Sequence, residues 1–137
     1  MLYTASITTN ANTPLNAPTQ TIIKVAREVL HRFYVYFPPG CSGLVYVQIM
    51  HGEHPILPVN KGSWMRGDDL LIEGPTWQEL TSETNIMTIN TANLDTVNTH
   101  EVLVGLFIDQ KGVLLPIGAY EGIISALKSL VWRGVPV

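Results

Sequence analysis

The chain has 137 residues, a net charge of −3 and charged side chains at only 14% of positions, which fits one domain. It has no basic stripe that would indicate nucleic-acid binding and no apolar run near the roughly 20 residues of a membrane span. Its single cysteine excludes an intrachain disulfide. Because 46% of its residues are apolar and its mean hydropathy is +0.20, we expect part of its surface to be covered by partners.

The first 18 residues predict an extended arm. A short strand over residues 2–9 comes first, and a loop that contains Pro14 and Pro18 follows. Proline disfavours helix and pushes the residue before it into extended geometry. We expect this arm to add a strand to an open sheet edge of a neighbouring copy.

Alternation of apolar and polar side chains predicts strands through most of the chain. The alternation places His31 on the same face as Phe33, and Gly74 and Pro75 are expected to end a strand. Turn residues recur about every 8–12 positions, which is typical of a sandwich or barrel. The expected strands after the first are 19–25, 30–37, 43–50, 55–59, 69–73, 77–80, 85–91, 101–109 and 113–118.

The C-terminal tail has helical rather than strand spacing. Residues 121–132 predict an amphipathic helix that Gly134 and Pro136 end. A helix this short is marginal alone, so its apolar stripe must dock on its own sheet or on a neighbouring subunit. The stripe consists of Ile123, Ile124, Leu127, Leu130 and Val131.

Together these patterns predict an all-β fold, an antiparallel, jelly-roll-like β-sandwich with one C-terminal amphipathic helix. The expected organisation is an arm over 1–18, a β-sandwich over 19–120, and the helix with its tail over 121–137. A βαβ architecture is not expected, because the one predicted helix comes last.

No motif predicts a metal, a cofactor or a catalytic centre. His51 and His54 flank a Gly-Glu pair, but the spacing is not that of a helical zinc motif, and we expect the turn to splay the two rings. Cys41 has no base or orienting group assigned to it, so a small semi-buried hydrophobe is the simpler interpretation.

The acidic residues fit turn chemistry better than ion binding. Asp68, Asp69, Glu73 and Asp95 could supply oxygen ligands for calcium, but their spacing does not match an EF-hand loop. Capping and turn hydrogen bonds explain them with fewer assumptions.

Aromatic residues leave a second possibility open. Trp64 and Trp77 could stack on sugar rings, as exposed aromatics of lectin-like sandwiches do. The alternative is that such side chains fill the core or a subunit interface.

The sequence resembles small structural proteins of tailed bacteriophages over residues 2–109, and the terminal helix departs from that likeness. The segments that carry the resemblance are 11–18, 30–32, 37–45 with its Phe37-Pro38-Pro39-Gly40 run, 48–58, 64–68, 89–91 and 99–102. The resemblance implies a virion β-sandwich, such as a capsid decoration protein or a tail accessory, and it carries no catalytic residue.

We therefore expect a virion structural protein that is made in the host cytoplasm, because the first residues lack the features of a signal peptide. Its expected partners are further copies of itself and other virion proteins, with no nucleic acid and no membrane. The alternative is a carbohydrate- or receptor-binding module of a phage tail. The expected interface residues are Leu2, Tyr3, Ile7 and Leu15, together with the stripe of the helix.

Overall fold

The computed structural model describes residues 1–25, 28–80 and 85–110. Over these residues the chain is entirely β, with no helix, and every strand pair is antiparallel, so the all-β prediction is confirmed. The predicted helix and the predicted strand 113–118 lie outside the described residues. The strands are β1 (Leu2–Thr9), β2 (Thr19–Lys24), β3 (Val29–Phe37), β4 (Val45–His51), β5 (His54–Leu57), β6 (Met65–Arg66), β7 (Leu70–Glu79), β8 (Ile86–Asn93) and β9 (His100–Asp109).

The strands form two sheets. The first sheet has the order β1-β9-β3-β7, and the second has the order β2-β8-β4-β5, with β6 also paired to β4. The chain pairs like one long hairpin, β4 with β5, β3 with β7, β2 with β8 and β1 with β9. Pairing of β3 with β9 and of β4 with β8 then completes each sheet.

The inward faces of both sheets meet in one core. Val35 and Val104 face each other in the first sheet, as do Ile49 and Ile89 in the second, and all four are essentially inaccessible to solvent. Burying one such side chain stabilises the fold by about 1.5–3 kcal/mol. Both sheets contribute side chains to a single core cluster, so the fold is a β-sandwich.

A bulge in β3 changes the face of His31. The pairing of β3 with both neighbours shifts between Leu30 and Arg32, so that β3 has one extra residue relative to β9, and β7 has one extra residue relative to β3. Leu30 is fully buried opposite Ile108. The prediction that His31 shares a face with Phe33 is therefore wrong.

The long strand β7 passes through Gly74 and Pro75 without a break, so the prediction that these residues end a strand is also wrong. Among the described strands of the first sheet, β7 lies at the edge and pairs only with β3. Proline is tolerated at an edge because its missing N–H can face away from the ladder.

Residues 1–18 lie against the rest of the same chain. Strand β1 pairs with β9 in unbroken register from Leu2 opposite Phe107 to Thr9 opposite His100. In the loop that follows, Thr13 and Asn93 exchange two backbone hydrogen bonds of 2.9 Å. Exchange of this segment between copies stays a prediction.

Candidate interaction surface and polar clusters

The outward face of the first sheet has an aromatic centre. Tyr34 and Phe107 make an edge-to-face contact with ring centroids 6.4 Å apart, and the ring of His31 lies at the same distance from Phe107. Tyr34 also covers Gly105, where an added Cβ would come within 2.0 Å of the tyrosine ring. We call this surface the outer face of the first sheet.

Half-exposed apolar side chains surround that centre. Leu2 is 49% exposed, Leu71 is 49% exposed and Trp77 is 50% exposed, and all three occupy outward positions of the edge strands. Charged groups alternate with them, including Arg32, whose guanidinium lies 3.5 Å from Glu73. Aromatic side chains and arginine are the residue types that are enriched at protein interfaces.

The outer face of the second sheet is more polar. Asn90 donates a 3.2 Å hydrogen bond to Gln48, which in turn donates one of 3.2 Å to the carbonyl of Ser63. The guanidinium of Arg66 lies 5.0 Å from the ring centroid of Tyr46, a distance typical of cation–π contact. Because this face consists largely of polar side chains that bond to one another, it is the weaker candidate for apolar association.

A polar cluster fixes the loop between β8 and β9. Asp95 accepts hydrogen bonds from the backbone N–H groups of Val97 (2.9 Å) and Asn98 (3.1 Å), and its other oxygen lies 2.8 Å from Nε2 of His100. These contacts, the Val97 amide first, hold the pKa of Asp95 well below its usual range.

Asn93 connects this cluster to the neighbouring strands. Its side-chain amide donates to the carbonyls of Thr9 (3.1 Å) and Asn98 (2.9 Å), and its side-chain oxygen accepts from the N–H of Asp95 at 3.0 Å. Each of these hydrogen bonds holds a residue of the turn or of a strand end in place. The cluster therefore has the arrangement of a structural brace.

The loop after β3 wraps around a second carboxylate. Asp68 accepts backbone hydrogen bonds from Gly40 (2.9 Å) and Ser42 (3.0 Å). Cys41, between these two residues, is buried, and burial together with the charge of Asp68 raises the pKa of its thiol. Cys41 is more buried than the semi-buried hydrophobe that the sequence predicts, and a raised pKa suppresses the reactive thiolate.

The β4–β5 hairpin places its two histidines opposite each other. His51 and His54 are direct cross-strand partners that close the turn at Gly52, which has a φ of 61°. Residues that face each other directly project to the same side of the sheet. No cluster of three or more potential metal ligands occurs within residues 1–25, 28–80 and 85–110.

The predicted interface residues of β1 divide between the two faces of the strand. Leu2 lies on the outer face of the first sheet, whereas Tyr3 points inward against the core and Ile7, only 5% exposed, belongs to it. Leu15 is exposed in the loop that follows. The five residues of the predicted helix stripe lie outside the described residues.

The two tryptophans occupy different sheets. Trp77 lies on β7 of the first sheet, and the partly buried Trp64 immediately precedes β6 of the second. The structure therefore does not bring them together into one platform.

The aromatic centre of the outer face is not among the interface residues predicted from the sequence. The signal was present, since alternation in the third and last strands places Tyr34 and Phe107 opposite the inward valines. Nothing in either strand alone indicated that the two outward rows would lie side by side.

Comparison with protein-family models, with curated proteins and with solved structures finds no match for this chain. In the part of the chain that the structure describes, no helix is long and apolar enough to cross a membrane.

Proposed function

We propose that this chain is a structural subunit of a bacteriophage virion, a jelly-roll sandwich that self-associates through the outer face of the first sheet. The strand order supports the jelly-roll assignment, because β1-β9-β3-β7 opposite β2-β8-β4-β5, with the short β6 added beside β4, is the order of a long hairpin rolled into two sheets. Double-sheet jelly rolls recur in viral capsid and lectin domains. The resemblance to tailed-phage structural proteins points to the virion.

The observation that carries self-association is the half-exposed apolar rim around an aromatic centre. Leu2, Leu71 and Trp77 each leave about half of their surface in water, and monomeric proteins rarely keep large apolar patches exposed. The face also carries both charges of the Arg32–Glu73 pair. A second copy related by a two-fold axis would present the same mixed surface, as symmetric dimers do.

The test compares two glutamate substitutions on opposite sheets. Sedimentation velocity of the full-length chain at micromolar concentration should reveal an oligomer. Leu71→Glu should weaken its association at least about tenfold, since about 1.4 kcal/mol of lost burial suffices. Ile22→Glu is the matched control, because Ile22 is 62% exposed on the outer face of the second sheet.

The outcomes separate clearly, provided that circular dichroism shows both variants to be folded. A wild-type chain that stays monomeric at about 100 μM, or equal effects of the two substitutions, would contradict the proposal. A cryo-EM map of the particle would then test the virion assignment independently, by whether density of this sandwich occurs on the capsid or the tail.

The second candidate is a glycan-binding module of a phage tail. The observation that favours it is the half-exposed Trp77 on the same face as the Arg32–Glu73 ion pair, since sugar sites combine an aromatic surface with a few polar groups. Glycan-array binding that Trp77→Ala abolishes and Trp64→Ala preserves would support this function. Absence of wild-type binding to any glycan on a broad array would count against this function.

A further inference from the structure

The four histidines of the chain fall into two groups. His31 and His100 each place Nε2 2.8 Å from a carboxylate, that of Asp109 and that of Asp95 respectively. His51 and His54 form the other group, and they face each other across the β4–β5 turn.

The hairpin brings the second pair within reach of one ion. Directly opposed residues on antiparallel strands have Cβ atoms about 4.5–5.5 Å apart and project to the same side. Two imidazole nitrogens that share a tetrahedral ion at about 2.0–2.1 Å lie roughly 3.3 Å from each other. Two imidazole rings that lean together from such Cβ positions can meet this spacing.

We infer that His51 and His54 form a two-histidine site for a divalent transition-metal ion, which ties β4 to β5 at the tip of the hairpin. Water completes the coordination sphere. Imidazole nitrogen selects Zn²⁺, Ni²⁺ and Cu²⁺, whereas Ca²⁺ and Mg²⁺ require oxygen ligands that this pair does not supply.

Metal ions bind the neutral form of imidazole. His54 is exposed, so the site opens to solvent.

The test is calorimetric titration of the full-length chain with NiCl₂, ZnCl₂ and CuCl₂ at neutral pH. Binding should be tightest for Cu²⁺, and the electron paramagnetic resonance spectrum should contain the splitting of two equivalent nitrogens. His51→Ala and His54→Ala should each weaken binding at least about tenfold. His31→Ala, which also removes one histidine, is the matched control and should bind metal like the wild type.

Thermal unfolding of each variant in EDTA checks that the fold is retained, and the exposed His54 makes its variant the more informative of the two. Metal binding that survives His54→Ala unchanged would overturn the site. So would the absence of binding to the wild-type chain at millimolar Cu²⁺. Neither result bears on self-association, because the hairpin belongs to the second sheet.

Discussion

Gly105 occupies the most crowded position of the outer face of the first sheet. It lies in β9 directly opposite Thr4 on β1 and Tyr34 on β3. The ring of Tyr34 lies over it, so that a Cβ at Gly105 would come within 2.0 Å of Cε1, 2.3 Å of Cζ and 2.6 Å of Cδ1. Gly105→Ala therefore forces this ring to move, and with it the contact to Phe107.

The size of the effect follows from these distances. Ordinary contact begins at 3.4 Å, so the ring must retreat about 1.4 Å from a position now at 2.0 Å. Overpacking of this kind costs about 1–3 kcal/mol, against about 0.5–1 kcal/mol that alanine gains over glycine within a strand. We expect Gly105→Ala to lower the free energy of unfolding by about 1–2 kcal/mol.

In a Tyr34→Ala background, Gly105→Ala should change the free energy of unfolding in the opposite direction. In Tyr34→Ala the obstructing ring is absent, so adding Gly105→Ala should raise the free energy of unfolding by about 0.5–1 kcal/mol. Urea denaturation of the four combinations measures the coupling directly, and repetition at two protein concentrations separates it from any contribution of self-association. An equal cost of Gly105→Ala in both backgrounds would refute the packing argument.

Three further predictions concern the brace, the bulge and the thiol. The pKa of Asp95 is lowered in the folded state. The ionised carboxylate therefore stabilises the fold above the unfolded pKa of about 3.9, and this contribution is lost as the pH falls through the folded pKa. Melting temperatures measured from pH 6 to pH 2 should fall less steeply in Asp95→Asn than in wild type. Leu30→Ala should cost about 2–5 kcal/mol in chemical denaturation, whereas Leu71→Ala should change stability by less than about 0.5 kcal/mol, and equal costs would place the bulge elsewhere. Cys41 should react with a thiol reagent only at the rate of unfolding, and rapid labelling of the native chain would contradict its burial.

The strands were the most predictable part of the structure. Residues 2–9 were expected as a strand and form β1 with the same bounds, and the strand expected over 101–109 begins one residue earlier. Both segments alternate cleanly, with Val102 and Val104 facing the core. Where one face of a strand is buried, the period of two is sufficient to assign it.

The errors have a common physical origin in tertiary context. The bulge at His31 gives β3 one extra residue relative to β9, and the sequence alternates on through it although the faces are exchanged. Pro75 lies within a strand because that strand is at an edge, and an edge is a property of the whole sheet. Local sequence contains neither fact.

The candidate sites depend even more on non-local pairing. Tyr34 meets Gly105 only because β9 is inserted between β1 and β3. His51 and His54 flank two turn residues and are direct cross-strand partners. Whether their rings splay, as expected from sequence, stays a prediction.

The placement of β1 distinguishes two modes of assembly. Exchange of this strand between copies would break its eight register pairs with β9 and the 2.7 Å hydrogen bond from Thr9 to Thr91, which joins the two sheets. It would also transfer the buried Ile7 to the core of the partner. Association through the outer face needs none of these changes, because Leu2 already projects outward from the same strand. The geometry therefore favours contact between intact sandwiches over strand exchange.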